Sequence, residues 1–483
     1  MITLNSGQQS AYNALVDYLV GSDSCMYLLK GYAGTGKTFT LGRVLEGALE
    51  LRNLRVAVSA PTHKAVQVLK KSQSLGGRVD YATIHSLLGL KEEIDHKTGK
   101  INFVPTWGDR DPRIEAYNVL ILDEVSMLST ELFTLLMKAR AKMSRLHIIM
   151  MGDPVQIPPV ESGKDKPSNW CPDSPVFLAD KQEAYDIRVL ELTDIVRQGA
   201  GNPILEYATT LRQEYKKSRP VASTALTTDG RGIEVIDVET PQAQTRIGDI
   251  LQEYFCDGQF QENSDHMKVV AYTNKVVNFY NQAIRERIYG KSGKDLPHVV
   301  NGEKMIADKP YFDNQERMLL STNQEFEVVS HSVDFMHVPW NKAKGMEMSV
   351  DMTMFQYYQC LISTEVILPG GIATRKEHEI KILHEDSLGE WDRLANEHKQ
   401  LTLKTYDQDA RKRGWRQYYN NLGLFCWFKY NYAITAHKSQ GSTYDNVLML
   451  DWDISRNHKL EEMNRIKYVA ATRARNRLFI AKV

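Results

Sequence analysis

Short apolar runs recur along the chain, each followed by a glycine-, proline- or polar-rich turn and then by residues at helical spacing. In the first 200 residues the runs are Met26-Tyr27-Leu28-Leu29, Val56-Ala57-Val58, Val119-Leu120-Ile121-Leu122, Leu146-His147-Ile148-Ile149-Met150-Met151 and Leu190-Glu191-Leu192. Later come Ile233-Glu234-Val235-Ile236, Met267-Lys268-Val269-Val270-Ala271-Tyr272, Asn446-Val447-Leu448-Met449-Leu450 and Leu478-Phe479-Ile480-Ala481. Such runs predict strands buried on both faces, and their alternation with helices predicts α/β architecture. Before the first run, Asn5 or Ser6 can cap a helix with an apolar face of Ala11, Leu15, Tyr18 and Leu19.

The pattern breaks twice. From Lys91 to Arg110, Glu93-Ile94-Asp95 and Lys100-Ile101-Asn102-Phe103-Val104 alternate around His96-Lys97-Thr98-Gly99, which predicts a β-hairpin. From about Asn301 to Phe428, short strand-like runs (Glu325 to Val329, Tyr358 to Ile362) suggest a small barrel. Two helices then follow, one with Trp391, Leu394, Ala395 and His398 in step, the other with Trp415, Tyr418, Tyr419 and Leu422. The expected domains are residues 1–200, with the hairpin at about 91–110; 201–300 together with 429–483; and the insertion 301–428.

The 483 residues suit about three domains. Lys and Arg number 60, as do Asp and Glu, so the net charge is zero. That removes a global basic signal for polyanion binding but leaves room for a local basic channel. No apolar run approaches the roughly 20 residues that span a bilayer, and the N-terminus lacks the pattern of a signal peptide. Five scattered cysteines at no metal-ligand spacing fit a reducing cytoplasm.

The chemistry begins at Gly31-Tyr32-Ala33-Gly34-Thr35-Gly36-Lys37-Thr38, between the first strand and a helix. Strand, glycine loop, Lys-Thr and helix form a phosphate-binding loop for a nucleoside triphosphate. Gly34, Thr35 and Gly36 let backbone N–H groups converge on phosphate, Lys37 reaches the terminal phosphates and Thr38 ligates Mg²⁺. The run ending in Asp123-Glu124 is a Walker B element: Asp123 holds Mg²⁺ and Glu124 polarises water. Gln156 follows another strand at the edge where a sheet ligand binds. Arg197 is a candidate for stabilising transition-state charge. Gln8 offers a donor and an acceptor that suit adenine, although alone it reads more simply as a solvated surface residue. Thr62 begins a helix whose free N–H groups could hold a polymer phosphate. Phe103 or Trp107, on the hairpin, could stack on a base if the hairpin is a projecting wedge; the plainer reading is a surface decoration.

The ordered series GYAGTGKT, SAPTHKA, ATIHSLL, LDEVSM, GDPVQIPP, LTDIVRQ, AYTN, TAHKSQGST and YVAATRAR resembles the superfamily 1 helicases over essentially the whole chain. Within them it is similar to the RecD/Pif1-like branch, and most to the Dda helicases of T4-like bacteriophages. The resemblance implies two RecA-like parallel-sheet domains, with a β-hairpin wedge inserted in the first and an SH3-like β-barrel with helical extension in the second. It implies an ATP- and Mg²⁺-dependent 5′-to-3′ DNA helicase. It assigns Gln8 to adenine, Lys37 and Thr38 to phosphate and metal, Asp123 and Glu124 to metal and catalysis, and Gln156 to sensing the γ-phosphate. Arg197 and Arg473 become arginine fingers. Thr62, His63, His85, Thr273, Asn274, His437, Lys438, Ser439 and Gln440 become nucleic-acid-contacting or coupling positions. The implied partners are single-stranded and tailed duplex DNA and a single-strand-binding or replication protein. The implied setting is the cytoplasm, that of the host if a phage encodes the chain, and the implied state a monomer. Three readings stay open beside this one: a translocase that mainly displaces proteins or remodels replication and recombination intermediates, an RNA helicase, and a scaffold with a decayed motor.

Overall fold

The computed structural model describes residues 3–72, 78–107, 111–143, 145–159, 173–195, 201–344, 347–368 and 372–483. The N-terminal helix Ser6–Val20 starts at a capping box: Asn5 Oδ1 accepts from Gln8 N, and Gln8 Oε1 accepts from Asn5 N. Its buried residues are Gln8, Ala11, Leu15, Val16, Tyr18 and Leu19.

The first sheet contains β1 (Met26–Gly31), β2 (Val56–Ala60), β3 (Val79–Thr83), β6 (Val119–Leu122), β7 (His147–Gly152) and β8 (Ile187–Leu192), all parallel, in the order β3-β2-β6-β7-β1-β8. Between β3 and β6 the chain leaves the sheet as an antiparallel hairpin of β4 (Leu90–Ile94) and β5 (Ile101–Pro105). Apolar cores cover both faces of the sheet. This is why its strands read as uninterrupted apolar runs.

The strand order decides the chemistry. In sequence the motifs follow β1, β2, β3, β6 and β7. In space, the carboxyl ends of β3, β2, β6, β7 and β1 stand side by side. His85, the Thr62-His63 pair, the Asp123-Glu124 pair, Asp153 with Gln156, and the phosphate loop therefore share one edge of the sheet.

The second sheet holds β9 (Ala225–Leu226), β10 (Gly232–Asp237), β11 (Met267–Ala271), β19 (Ala433–Thr435), β20 (Tyr444–Leu450) and β21 (Ala474–Lys482) in the order β19-β11-β20-β21-β10-β9. All are parallel except the short edge strand β9. Two six-stranded sheets within one α/β chain agree with the sequence reading.

Between β11 and β19 lies the insertion: β12 (Lys304–Ala307), β13 (Tyr311–Phe312), β14 (Met318–Leu320), β15 (Glu325–Lys344), β16 (Glu347–Ile367), β17 (Ala373–Leu383) and β18 (Phe428–Tyr430). Five of them form an antiparallel sheet, β17-β16-β15-β12-β18. Cys426 N donates to Lys381 O, which brings the chain entering β18 back beside β17 and curls the sheet around an apolar centre. The sequence suggested short strands near 325–329 and 358–362; β15 and β16 instead run 20 and 21 residues. A bulge between Val328 and Ser330 explains the difference. It reverses the in–out alternation of β15, so Phe326 and Val328 face the barrel while Val338 and Trp340 face two helices, Glu385–Lys404 and Gln408–Gly423. Trp340 meets Trp391 edge to face there, at 4.9 Å between ring centroids. Among the described residues, Cys25, Cys256, Cys360 and Cys426 are free thiols.

Candidate nucleotide cleft and nucleic-acid track

The helix Lys37–Leu51 begins at Gly36, which is left-handed at φ 81° and offers no side-chain cap. The first-turn N–H groups of such a helix lack intrahelical acceptors and form an anion cradle. Lys37 Nζ lies over the same loop, donating to the carbonyls of Gly31 (2.6 Å) and Tyr32 (3.3 Å). A side chain at position 36 would collide with Gln8, since its Cβ would lie 2.5 Å from Gln8 Nε2. Gln8 is buried and spans from the capping box to the phosphate loop, donating from Nε2 to Thr35 O at 3.1 Å. The solvated reading of Gln8 from sequence alone is therefore corrected: its amide joins the first helix to the loop.

Asp123 and Glu124 leave β6 side by side. Glu124 is left-handed at φ 52°, a strained conformation for a residue with a side chain and one that recurs at functional sites. Burial, with the neighbouring Asp123 carboxylate, pushes its carboxyl up to about 7, against the pull of Lys37 and Arg473. Burial also raises Asp123, which Lys37 opposes. One Asp123 oxygen accepts from Glu124 N. The buried Asp123 carboxylate, and the Thr38 hydroxyl in the first turn of the cradle helix, are donors of the kind Mg²⁺ takes: it uses few protein ligands and completes its shell with phosphate and water.

The second half closes over this edge. A Cβ at Gly441 would lie 3.9 Å from Glu124 Oε1. Gln440 Nε2 donates to Ile157 O at 3.0 Å. Tyr468 Oη donates to Asp153 Oδ2 at 2.7 Å, and Ala33 N of the phosphate loop donates to both groups at 3.1 Å. The Tyr32 ring packs beneath the Arg212 guanidinium, 4.0 Å away. Arg473 is buried and braced by donation to Ser442 O and Val469 O. Gln156 is buried too, its Oε1 accepting from Ser126 Oγ. Arg197 lies outside the described residues.

Further along the edge, Thr62 Oγ1 accepts from Ala65 N at the start of the helix His63–Ser72. His63 and His85 are half-buried, and burial lowers both imidazoles, with the charge of His63 adding to the effect on His85. Each therefore takes up a proton less readily than a free imidazole. His85 lies 4.9 Å from the exposed Phe103 of the hairpin, centroid to centroid. Trp107 does not project: its Nε1 donates to Leu88 O, and the ring packs on the first core. On the second half, Thr273 caps the helix Asn274–Tyr289, and both its N–H and its hydroxyl are taken by Asp453. Asn274 is exposed beside it. His437 is half-buried and lowered by burial. Lys438 pairs with Asp308 at 2.8 Å, and the Ser439 hydroxyl turns inward to Ala436 O.

The hairpin tip is held from above. Gly99, at φ 69°, lies under Trp415, where an added Cβ would come 2.2 Å from the indole. Trp415 Nε1 donates to His96 O at 3.1 Å, and Tyr419 Oη donates to Gly99 O. The helical spacing of Trp415 and Tyr419 was visible in sequence, but the surface they meet was not. Sequence reasoning also passed over Asp153, Tyr468, Asp453 and Arg465. The first two lie inside motifs that were recognised, so motif membership could have flagged them. Asp453 and Arg465 carry no local signal.

Residues 3–231 match the model of an AAA domain, and residues 430–481 match that of the UvrD-like helicase C-terminal domain. The chain is 26% identical to the ATP-dependent DNA helicase dda of Enterobacteria phage T4, over 99% of this chain and 98% of that protein. The chain is a superfamily 1 helicase of the RecD/Pif1-like branch. An uncharacterized protein of Acanthamoeba polyphaga mimivirus is 24% identical over 98% of this helicase and 99% of its own length. Among solved structures, the Pif1 helicase from Bacteroides in complex with ADP-AlF3 and ssDNA is 15% identical, with a TM-score of 0.48, covering 100% of this helicase and 94% of that chain. Among the described residues no helix is long and apolar enough to cross a membrane.

Proposed function

We propose that the helicase is an ATP-driven motor that moves 5′ to 3′ on single-stranded DNA and opens the duplex ahead of it. One observation carries the reading: Lys37 and Glu124 of the first half and Gly441 and Arg473 of the second converge on one cleft. In this reading Gln8 contacts adenine and Lys37 the terminal phosphates. Thr38 and Asp123 would hold Mg²⁺, which supplies charge neutralisation to the phosphates. Glu124 orients and polarises the attacking water, and its raised carboxyl suits exchange of a proton near neutrality. Gln156 senses the γ-phosphate. Arg473 neutralises charge developing in the transition state, with Arg197 as a second finger by resemblance.

An arginine supplied across a cleft couples hydrolysis to closure of that cleft. The polymer lies along Thr62, His63 and His85 on one half and Thr273, Asn274 and the His437 to Gln440 segment on the other. The His85 ring beside Phe103 offers bases a sequence-tolerant stacking surface. Movement of one half against the other then draws the strand past the hairpin. The docked hairpin tip favours strand separation over protein displacement as the main output, because a wedge has to keep its place under load. By the same resemblance, the helicase works as a monomer. Single-strand-binding or replication proteins are its natural company, in the cytoplasm.

The test is hydrolysis of ATP with and without single-stranded DNA or RNA, followed by opening of tailed duplexes. DNA should stimulate turnover more than RNA does. A 5′-tailed duplex should open and a 3′-tailed one should not. Absence of DNA stimulation, or opening of the 3′-tailed duplex alone, refutes the proposal.

A further inference from the structure

We infer that Arg465 is a positioning residue that locks the loop bearing Gln156 to the helix leading to Arg473, so that phosphate sensing and arginine insertion occur as one event. The inference rests on the roles proposed above for Gln156 and Arg473.

The loop after β7 belongs to the first sheet by sequence but packs with the second half. Val155 and Ile157 are buried in the second half's core. Gln440 holds Ile157 O. Arg465, only 1% exposed on the helix Leu460–Ala471, holds the intervening backbone. Its Nη1 donates to Pro154 O at 2.9 Å and to Gln156 O at 3.0 Å. Its Nη2 donates to Asp173 at 2.8 Å and Glu461 at 3.1 Å, which balance its charge, and its plane lies 5.0 Å from the Tyr215 ring. The Gln156 side chain reaches the other way, to Ser126 of the first half. Gln156 thus has its backbone gripped by one half and its amide by the other.

The same helix carries Tyr468, which bonds Asp153, and ends two residues before Arg473. A shift of Gln156 is transmitted to Arg473 through this rod. Only a guanidinium supplies a fixed planar fork that can bridge two carbonyls and two carboxylates together; a lysine keeps the charge but not the fork.

The experiment uses the full chain with saturating oligothymidylate and compares wild type, Arg465→Lys, Arg465→Met, Gln156→Ala and the Arg465→Lys/Gln156→Ala double variant. Thermal melting is followed alongside kcat and the KM for ATP. Arg465→Lys should stay folded and melt only a few degrees below wild type, since the charge remains while part of the fork is lost; it should keep KM within about threefold and lose roughly tenfold in kcat, the signature of a misplaced group. The double variant should be no slower than Gln156→Ala alone, because both changes disable one unit. Where Arg465→Met fails to fold, the lysine variant and the cycle decide. Unchanged kcat in Arg465→Lys, a loss confined to KM, or multiplication of the two single effects overturns the inference while leaving the motor reading intact. A wild-type chain without DNA-stimulated hydrolysis overturns both.

Discussion

Two of the junctions between the second half of the helicase and the first differ in how tightly they are seated. At the cleft, beside the buried Val155 and Ile157, the contacts include exchangeable polar ones: Tyr468 on Asp153, Gln440 on Ile157 O, Arg465 on Pro154 O and Gln156 O. Beside them, Lys37 rests on the carbonyls of its own loop. A lysine held by neutral carbonyls gives them up readily to a phosphate, because charge-assisted bonds are roughly twice as strong as neutral ones. At the hairpin tip two hydrogen bonds, from Trp415 Nε1 to His96 O and from Tyr419 Oη to Gly99 O, accompany an indole seated on a glycine, with no space for a single added carbon. The first junction is suited to change with the nucleotide, the second to hold one geometry. The proposed function calls for both: a cleft that cycles and a wedge that does not yield.

The largest effects should come from breaking the cleft. Lys37→Ala should lower DNA-stimulated ATP hydrolysis by at least roughly 10³-fold in steady-state assays, and Glu124→Gln by about 10²- to 10⁴-fold with binding of a fluorescent ATP analogue retained. Arg473→Ala should cost about 10³-fold in kcat, although Arg473 lies more than 400 residues from the phosphate loop. Normal turnover in Arg473→Ala would mean that the cleft has only one working wall.

Breaking the other junction should give the reverse pattern. Gly99→Val forces a side chain into the Trp415 ring, and overpacking of this kind costs about 1–3 kcal/mol. That suffices to undock the tip, so duplex opening should fall roughly tenfold while ATP hydrolysis on single-stranded DNA stays within about twofold. Equal loss of both activities would show that the two junctions are not separate.

The smallest effect sharpens the comparison where the halves and the insertion meet. Lys268 is fully buried and bonded to Asn431, and burial lowers its ammonium to about 8 despite the attraction of Glu325 and Asp265. In the unfolded chain it returns to about 10.4, so between these values the unfolded state binds more protons and this group makes stability rise with pH. In chemical denaturation, the unfolding free energy of wild type minus that of Lys268→Met should therefore increase from pH 8 to pH 10. The slope is at most about 1.4 kcal/mol per pH unit, the limit for one proton. A flat difference would place Lys268 outside the control of stability.

The sequence by itself determined what is local in the chain. A buried parallel strand has to be apolar throughout, and a phosphate loop needs glycines and Lys-Thr at fixed spacing directly before a helix. Such stretches as Val119 to Glu124 and Gly31 to Thr38 could therefore be read without coordinates. So could the hairpin, because alternation around His96 to Gly99 is a short-range property. The 20-residue reach of β15 was hidden, since a bulge reverses its faces and polar residues interrupt its pattern. The tertiary structure alone decided which groups meet. Strand order brings five separated turns to one edge, and the fold of the second half sets Gly441 beside Glu124, Arg465 behind Gln156 and Trp415 over Gly99. These partners lie hundreds of residues apart, and no rule of local periodicity or propensity relates them. Their encounter follows from how two sheets and an inserted barrel bury their apolar faces, a property of the whole chain.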